Sequence, residues 1–206
     1  MHSYLPFDSA RFCNEWLPRV ALEPLCQDHA PELARLVAVD DLYGHAHTYI
    51  PSPDDVPAFI ASALGDAASG STRAFVIRWL DMPLAQRATG NIVGCTRFFQ
   101  LAPRHRRVQI GVTWLATHAR RNGVNRAAKW LLLREAFEAM HLQRVEFFVH
   151  PANTVSRTAL LGMGATFEGI LRKHLYINGA ARDTAMYSVV DDDWGTVNAK
   201  LRGVRL

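Results

Sequence analysis

The middle of the chain carries the pattern that most restricts its fold. Residues 108–116, VQIGVTWLA, form one apolar strand pattern, and residues 144–150, RVEFFVH, form a second. The alanine- and leucine-rich stretch between them, from about Gly123 to His141, has apolar residues at helical spacing. A strand, a helix and a strand in this order form a right-handed βαβ unit with parallel strands. The pattern therefore predicts a mixed α/β domain built around this unit.

Further strands and helices are predicted on both sides of the unit. Strand patterns precede it at residues 19–25, 72–79 and 91–101, and helix patterns at 29–39, with Asp28 as N-cap, and at 53–64. The strands at 72–79 and 91–101 are expected to form a hairpin. After the unit come a short helix near Asn153, a hairpin that turns at Asn178 and Gly179, and a last helix from Asp191.

Length and composition limit the class of protein. A chain of 206 residues, 49% hydrophobic and 20% charged, is expected to form one soluble globular domain over residues 1–206. No apolar run approaches the roughly 20 residues of a membrane helix, and the N-terminus lacks the order of a secretory signal, so a cytoplasmic protein without membrane attachment is expected. Three separated cysteines and the pair His45 and His47 do not complete a metal-site pattern, so no metal is expected.

The basic charge indicates a local phosphate site better than a nucleic-acid surface. The net charge is +4 and the pI is about 9.2, but the arginines are scattered apart from residues 104–107 and the pair Arg120 and Arg121. No helix-turn-helix, zinc-finger or aromatic-basic RNA motif is present. Nucleic acid is therefore not expected as a partner.

The gap between the first strand and the helix is suited to an anion. A helix that begins at Gly123 presents amide groups without intrahelical partners, and its dipole adds positive potential. Gly123 allows close approach of a ligand to the backbone, and the two arginines add charges that can bind phosphate oxygens. Because the P-loop and GxGxxG patterns are both missing, ATP and NAD are disfavoured and a different diphosphate is expected.

Two segments resemble one known family. The loop RRNGVN at 120–125 is similar to the pyrophosphate loop of GNAT N-acetyltransferases, and NTVSRTALLGMGATFEG at 153–169 resembles the family's motif after the fifth strand. The resemblance covers residues 19 to 194, leaves 1–18 as an N-terminal extension, and is nearest to the RimJ/RimL-like branch. It implies a centrally splayed sheet of about seven strands flanked by helices.

The resemblance also implies the donor and its binding residues. Acetyl-CoA would place its diphosphate on the loop and its pantetheine arm along the strand before it, where a β-bulge is expected to direct an N–H at the thioester carbonyl. Asn125 departs from the small residue usual at the end of the loop. The implied binding residues are Gly111, Val112, Thr113, Trp114, Arg120, Arg121, Asn122, Gly123, Val124, Asn125, Asn153 and Ser156.

The candidate catalytic groups come from several elements. The resemblance implies that Asn153 binds pantetheine or water and that Ser156 protonates the leaving thiolate, with Tyr187 as an alternative; Asn153 as an N-cap remains open beside this role. Gln109 stands where many relatives carry a glutamate, and an amide is not a base. Glu146, Asp40, Asp41 and a water chain are the candidates for accepting the amine's proton.

The acceptor amine is not identified by the sequence. The family's acceptor pocket corresponds to residues 39–55 and 172–179, so Asp41, Tyr43, His45, His47 and Tyr176 are the expected contacts. A protein N-terminus and a small amine both fit, and a homodimer stays open. An acyl-CoA-binding regulatory module of the same fold is the main alternative to an enzyme, and an RNA-binding protein ranks far behind.

Overall fold

Seven strands form one sheet at the centre of the fold. The computed structural model describes residues 13–16, 18–40, 42–43, 49–68, 70–177 and 179–203. The strand order is β1-β2-β3-β4-β5-β7-β6. The strands are β1 (Val20–Pro24), β2 (Arg73–Trp79), β3 (Ile92–Ala102), β4 (Arg107–Leu115), β5 (Arg144–Val149), β6 (Thr166–Ile177) and β7 (Ala180–Val190).

The central pair β4 and β5 is parallel, and the other neighbouring pairs in the sheet are antiparallel. This confirms the βαβ unit, because the helix between the two strands returns the chain to the edge where β4 began. The hairpins predicted from residues 72–101 and from the turn before Ala180 are also present as antiparallel pairs. Gly179 has a φ of +78°, as the two-residue turn requires.

In the part of the chain that the structure describes, five α-helices flank the sheet: α1 (Ala30–Asp40), α2 (Val56–Ala68), α3 (Val124–Arg134), α4 (Thr154–Met163) and α5 (Trp194–Arg202). One apolar core joins α3, α4 and α5 to one face of the sheet, with Leu131, Val145 and Tyr187 fully buried in it. A second core joins α1 and α2 to the opposite face, over β2, β3 and β4. The mixed α/β class with a seven-stranded sheet is therefore confirmed.

Several helix ends differ from the sequence prediction. Asp28 is not an N-cap but lies inside a 3₁₀ turn, Gln27–His29, that precedes α1. The α-helix α3 ends at Arg134, and a π-helical turn, Glu135–Ala139, replaces its predicted last turns. The last helix begins three residues later than predicted because Asp191–Asp193 forms a 3₁₀ turn. Among the described residues, no helix has both the length and the apolar character needed to cross a bilayer.

Candidate functional site

An opening divides the sheet between β4 and β5. The two strands pair only at their beginnings, where Arg107, Val108 and Gln109 lie opposite Arg144, Val145 and Glu146. Beyond Gln109, β4 runs on to Leu115 and β5 to Val149 without further pairing between them. Because both strands run in the same direction, the opening widens toward their carboxyl ends, where α3 and α4 begin. The predicted splay is therefore present.

A β-bulge lies on the β4 side of this opening. Between the pairs Arg97↔Gly111 and Cys95↔Trp114, β4 contains one residue more than β3. Val112, inside this interval, has a φ of +47°, which is a strained conformation for a β-branched residue. The bulge occupies the predicted place, and the extra residue of a bulge is left outside the ladder of hydrogen bonds.

At two of the predicted positions on β4, Thr113 and Trp114, the side chains point into the protein, so only the backbone is available to a ligand. Trp114 is buried against the core beneath α1 and α2. The Thr113 hydroxyl lies 2.8 Å from the Thr96 hydroxyl and 2.7 Å from Lys129 Nζ, which donates to it. Gly111 has no room for a side chain, because a Cβ would lie 2.7 Å from the ring of Phe99.

Lys129 is an ionisable residue beneath the opening that the sequence did not single out as functional. It projects from α3, is buried, and has its Nζ 6.0 Å from the ring centroid of Phe147 on β5. Burial lowers the pKa of Lys129 from its usual 10.5 to about 7, because the ammonium loses its hydration. Lys129 therefore connects the strand carrying the bulge to α3 with an amino group that titrates near neutral pH.

The loop before α3 presents amide groups to the opening's edge. The first hydrogen bond of the helix runs from Ala127 N–H to Gly123 O at 2.9 Å, so the amides before it have no acceptor within the helix. Asn122 Oδ1 lies 3.4 Å from the N–H of Val124, and Asn122 Nδ2 donates to His118 O. Gly123 has a φ of +91°, and a Cβ there would lie 2.9 Å from Pro18.

The arginines of this loop differ in their anchoring. Arg120 is exposed, and its Nε donates to Leu115 O at 2.9 Å, which ties the loop to the end of β4. Arg121 is exposed and has a φ of +60°. Val124 is fully buried in the core and anchors the first turn of α3. Asn125 lies in that same turn and is half-buried. The loop thus combines amides without acceptors in α3, positive side chains and a fixed backbone.

The start of α4 lies at the carboxyl end of β5, so α3 and α4 begin on the two sides of the opening. Asn153 is the N-cap of α4, and its Oδ1 accepts from Ser156 N–H at 3.0 Å. The amide oxygen is therefore engaged, and only Asn153 Nδ2 remains to donate to a ligand. Ser156 is half-buried in the first turn, where its hydroxyl makes no hydrogen bond to the described residues.

Two other predicted catalytic candidates are engaged in structural contacts. Glu146 is 4% exposed, and its carboxylate binds Arg107 Nη1 at 2.9 Å and Arg144 Nε at 2.8 Å. Both carboxylate oxygens of Glu146 therefore face a guanidinium, and its role as a base stays a prediction. Tyr187 is fully buried, and its hydroxyl accepts from Arg157 Nε at 2.8 Å.

The predicted acceptor contacts are only partly described. Asp41, His45 and His47 lie outside the described residues, and Tyr43 and Tyr176 are exposed. Asp40, another candidate base, accepts a hydrogen bond from the N–H of Thr117. Within the described ranges no group of histidine, cysteine and acidic residues is close enough to hold a metal.

Two buried charged residues, Lys129 and Arg97, were missed by the sequence analysis. Both stand inside nearly continuous apolar runs, AAKWLLL on α3 and GCTRFF on β3. A charged residue in the middle of such a run has to be buried with the rest of its element, and this is the signal that could have identified both.

Sequence comparison finds a family and a relative. Residues 19–166 match the profile of the acetyltransferase (GNAT) domain. The uncharacterized N-acetyltransferase YoaA of Bacillus subtilis (strain 168) is 36% identical over 114 residues, which are 55% of this chain and 62% of YoaA. The chain thus matches less than two thirds of this relative's length.

Solved structures share the fold over most of the chain. A GCN5-related N-acetyltransferase from Brucella melitensis is 25% identical, with a TM-score of 0.76. The alignment covers 94% of this chain and 85% of the Brucella chain. Mycobacterium smegmatis RimJ, in complex with CoA-disulfide, is 24% identical, with a TM-score of 0.73, covering 90% and 88%. The second likeness concerns the fold alone.

Proposed function

Because this chain belongs to the GNAT acetyltransferase family, we propose that it transfers the acetyl group of acetyl-CoA to a primary amine. The observation that carries the proposal is the opening between β4 and β5, with the bulge at Val112 on one side and the first turn of α3 at its edge. An extended ligand arm can lie between two unpaired strands, and an anion can bind at a helix N-terminus. The opening supports both at once.

The donor's diphosphate would bind the loop from Arg120 to Asn125. Its amides lack intrahelical acceptors, and its two exposed arginines supply positive charge. The pantetheine arm would lie against the backbone of residues 111–114, since the Thr113 and Trp114 side chains are turned into the protein. Asn153 Nδ2 can donate to this arm from the opposite side while its Oδ1 caps α4.

Bound acetyl-CoA supplies an activated acetyl carbonyl and a thiol leaving group. The acceptor's nitrogen forms a bond to the acetyl carbon, the carbon–sulfur bond breaks, and the electron pair of that bond leaves with sulfur. The nitrogen loses one proton and the sulfur gains one. An N–H of the bulge near Val112 would polarise the carbonyl oxygen. The Ser156 hydroxyl, which no described residue engages, would donate the proton to sulfur.

A water chain is the proposed acceptor of the amine's proton. Gln109 Oε1 is buried and has no hydrogen-bond partner among the described residues. A buried polar atom of this kind is a place where an ordered water binds. Gln109 lies on β4 two residues before the bulge, so water held there would be close to the reacting carbonyl.

Acetyl-CoA-dependent thiol release tests the proposal. Purified protein is offered acetyl-CoA with a pool of short peptides that have free N-termini and, separately, with a pool of small primary amines. Release that depends on both amine and protein, with the acetylated amine identified by mass, is expected in at least one pool. Absence of acetyl-CoA binding in equilibrium titration contradicts the proposal.

An acyl-CoA-binding module is the second candidate. The replacement of the usual glutamate by Gln109 favours it, because an amide cannot act as a base. Glu146 is held in ion pairs with Arg107 and Arg144. Tight acetyl-CoA binding without thiol release in either pool would favour this second reading.

A further inference from the structure

A pocket of about 300 Å³ lies beside the bulge of β4. Six of the residues that line it are Asp66 from α2, Ser71 and Thr72 before β2, Arg97 and Gln100 from β3, and Val112 from the bulge itself. Val112 is thus shared between this pocket and the opening proposed for acetyl-CoA. A molecule held in the pocket would lie next to the carbonyl that the bulge is proposed to polarise.

Arg97 is the unusual residue of this pocket. It is 8% exposed, and its Nε is buried without a hydrogen-bond partner among the described residues. Its guanidinium carbon lies 4.6 Å from the ring centroid of Phe59, which is a cation–π contact. A buried guanidinium with unmade hydrogen bonds is costly, and an anion that binds it recovers much of that cost.

Arg97 forms no salt bridge with a described residue. The neighbouring thiol of Cys95 is fully buried, and burial raises its pKa to about 12, so it is uncharged at neutral pH. Asp66 is exposed on α2 at the pocket's rim and attracts Arg97 electrostatically.

We propose that this pocket receives a carboxylate of the acceptor, so that the substrates are primary amines with a carboxylate a few bonds from the nitrogen. The inference rests on the proposed acetyl transfer at the same site. Arg97 offers the planar fork of donors that suits a carboxylate, and Thr72 and Gln100 can add neutral hydrogen bonds. Asp66 at the rim favours the positive charge that the same acceptor carries before it loses its proton.

Two kinds of acceptor present this chemistry. A free amino acid carries the carboxylate on the same carbon as the amine, and a protein N-terminus can carry it on an acidic side chain in its first residues. The experiment therefore has two arms. One arm pairs free amino acids with their carboxamides, and the other pairs amidated pentapeptides that differ only by Glu or Gln at the second position.

The expected result is a preference in kcat/KM of about tenfold or more for the carboxylate member in one arm, since a buried charge-assisted pair is worth roughly 1.5 to 3 kcal/mol. The arm that shows the preference identifies the source of the carboxylate. Reaction of both members at equal rates in both arms overturns the inference and leaves acetyl transfer intact. Absence of acetyl-CoA binding overturns the proposed function itself, and binding without any reaction counts against both.

Arg97→Met tests the residue directly, with Arg104→Met as the matched control. Methionine keeps an unbranched side chain without the charge. Because Arg97 forms no salt bridge with a described residue, its replacement leaves no other buried charge without a partner. The loss in kcat/KM is expected to be at least about tenfold larger for the carboxylate member than for its amide. Arg104 is exposed in the turn between β3 and β4, and its variant should keep the wild-type preference. Equal losses for the two members of a pair in Arg97→Met would contradict the assignment.

Discussion

At the scale of single residues, Lys129 holds an amino group where a charge is disfavoured. Among the described residues, the one hydrogen bond of this amino group goes to Thr113, directly after the strained Val112. Thr113 in turn bonds Thr96 on β3. Lys129 therefore fixes the bulge from the α3 side. Because the pKa of Lys129 is lowered to about 7 by burial, this contact exists largely without a formal charge above neutral pH.

Lys129→Met should change how stability depends on pH. Between about pH 7 and 10.5 the unfolded chain binds the lysine proton and the folded chain does not, so the wild-type free energy of unfolding rises with pH there. The slope from one such group is at most about 1.4 kcal/mol per pH unit. Relative to wild type, the variant is expected to be most stable below pH 7 and to lose that advantage as the pH rises.

Urea unfolding at pH 6, 8 and 10 measures this difference. Loss of the hydrogen bond to Thr113 lowers the variant's free energy of unfolding by about 1 kcal/mol at every pH, so it does not change the slope against pH. Lys200→Met, at an exposed position of α5, serves as the control and should keep the wild-type slope. Parallel curves for wild type and Lys129→Met would contradict the buried titration.

Asn125→Asp separates helix stability from anion binding. A carboxylate in the first turn of α3 interacts favourably with the helix dipole, by about 0.3 to 1 kcal/mol, so the variant should fold at least as stably as wild type. The same charge repels a diphosphate, so acetyl-CoA affinity should fall about tenfold or more, and most strongly at low salt. Asn125→Ala is the uncharged control and should bind acetyl-CoA like wild type in the same titration. Equal acetyl-CoA affinity of Asn125→Asp and Asn125→Ala would show that the diphosphate does not bind at this loop.

At the scale of elements, α4 combines a structural cap with a proposed ligand contact. Asn153→Ala removes the acceptor for Ser156 N–H and should lower the free energy of unfolding by about 1 kcal/mol. Asn153→Ser keeps a capping oxygen but not the amide donor. We expect Asn153→Ser to be about as stable as wild type in urea unfolding. In titration, both Asn153→Ala and Asn153→Ser should bind acetyl-CoA more weakly than wild type, because both lack the amide donor. Full recovery of affinity in the serine variant would mean that Asn153 only caps the helix.

An ion-pair network connects β5, β7 and β6 next to the closed end of the opening. Arg144 on β5 binds Glu168 on β6 with a shortest contact of 2.5 Å, and Ser188 on the intervening β7 donates to Glu168 at 2.6 Å. These contacts, the Arg144 bond first, lower the pKa of Glu168 from 4.5 to about 2. The Arg144 and Glu168 side chains are 25% and 33% exposed, so screening by water reduces the energy of this ion pair.

The stability from Glu168 should be present above about pH 4.5 and be lost as the pH falls toward 2. Glu168→Gln should therefore unfold with a weaker pH dependence between pH 4.5 and 2 than wild type. Thermal unfolding at pH 7, 4.5 and 3 measures this. Glu138→Gln removes another carboxylate, on the π-helical turn outside this network, as a control. If both variants lose stability in parallel with wild type, Glu168 does not contribute in this range.

The elements were easier to predict than the side-chain geometry of the site. The parallel β4–β5 pair, the turn at Gly179 and the cap at Asn153 follow from local patterns, since strand period, turn chemistry and capping act over a few residues. The pairing of Glu146 with Arg107 and Arg144 depends on strands brought together by the fold, so no local pattern marks it. The same holds for the depth at which Arg97 and Lys129 are buried.

At the scale of the whole molecule, the two faces of the sheet are covered differently. Helices α3, α4 and α5 cover one face, and α1 and α2 cover β2, β3 and β4 on the other. The opening, the loop before α3 and the Arg97 pocket all adjoin β4, where both cores meet the splayed edge. The proposed donor and acceptor sites therefore adjoin each other at β4, where they share Val112.

Amine acetylation by the purified protein tests this account most directly. Wild type and Asn125→Asp are incubated with acetyl-CoA and the two amine pools, and thiol release is measured together with the mass of the product. The account predicts protein-dependent acetylation by wild type and, at acetyl-CoA concentrations below saturation, a rate for Asn125→Asp reduced about tenfold or more. If wild-type protein that is shown to be folded neither binds acetyl-CoA nor acetylates an amine of either pool, the account is contradicted.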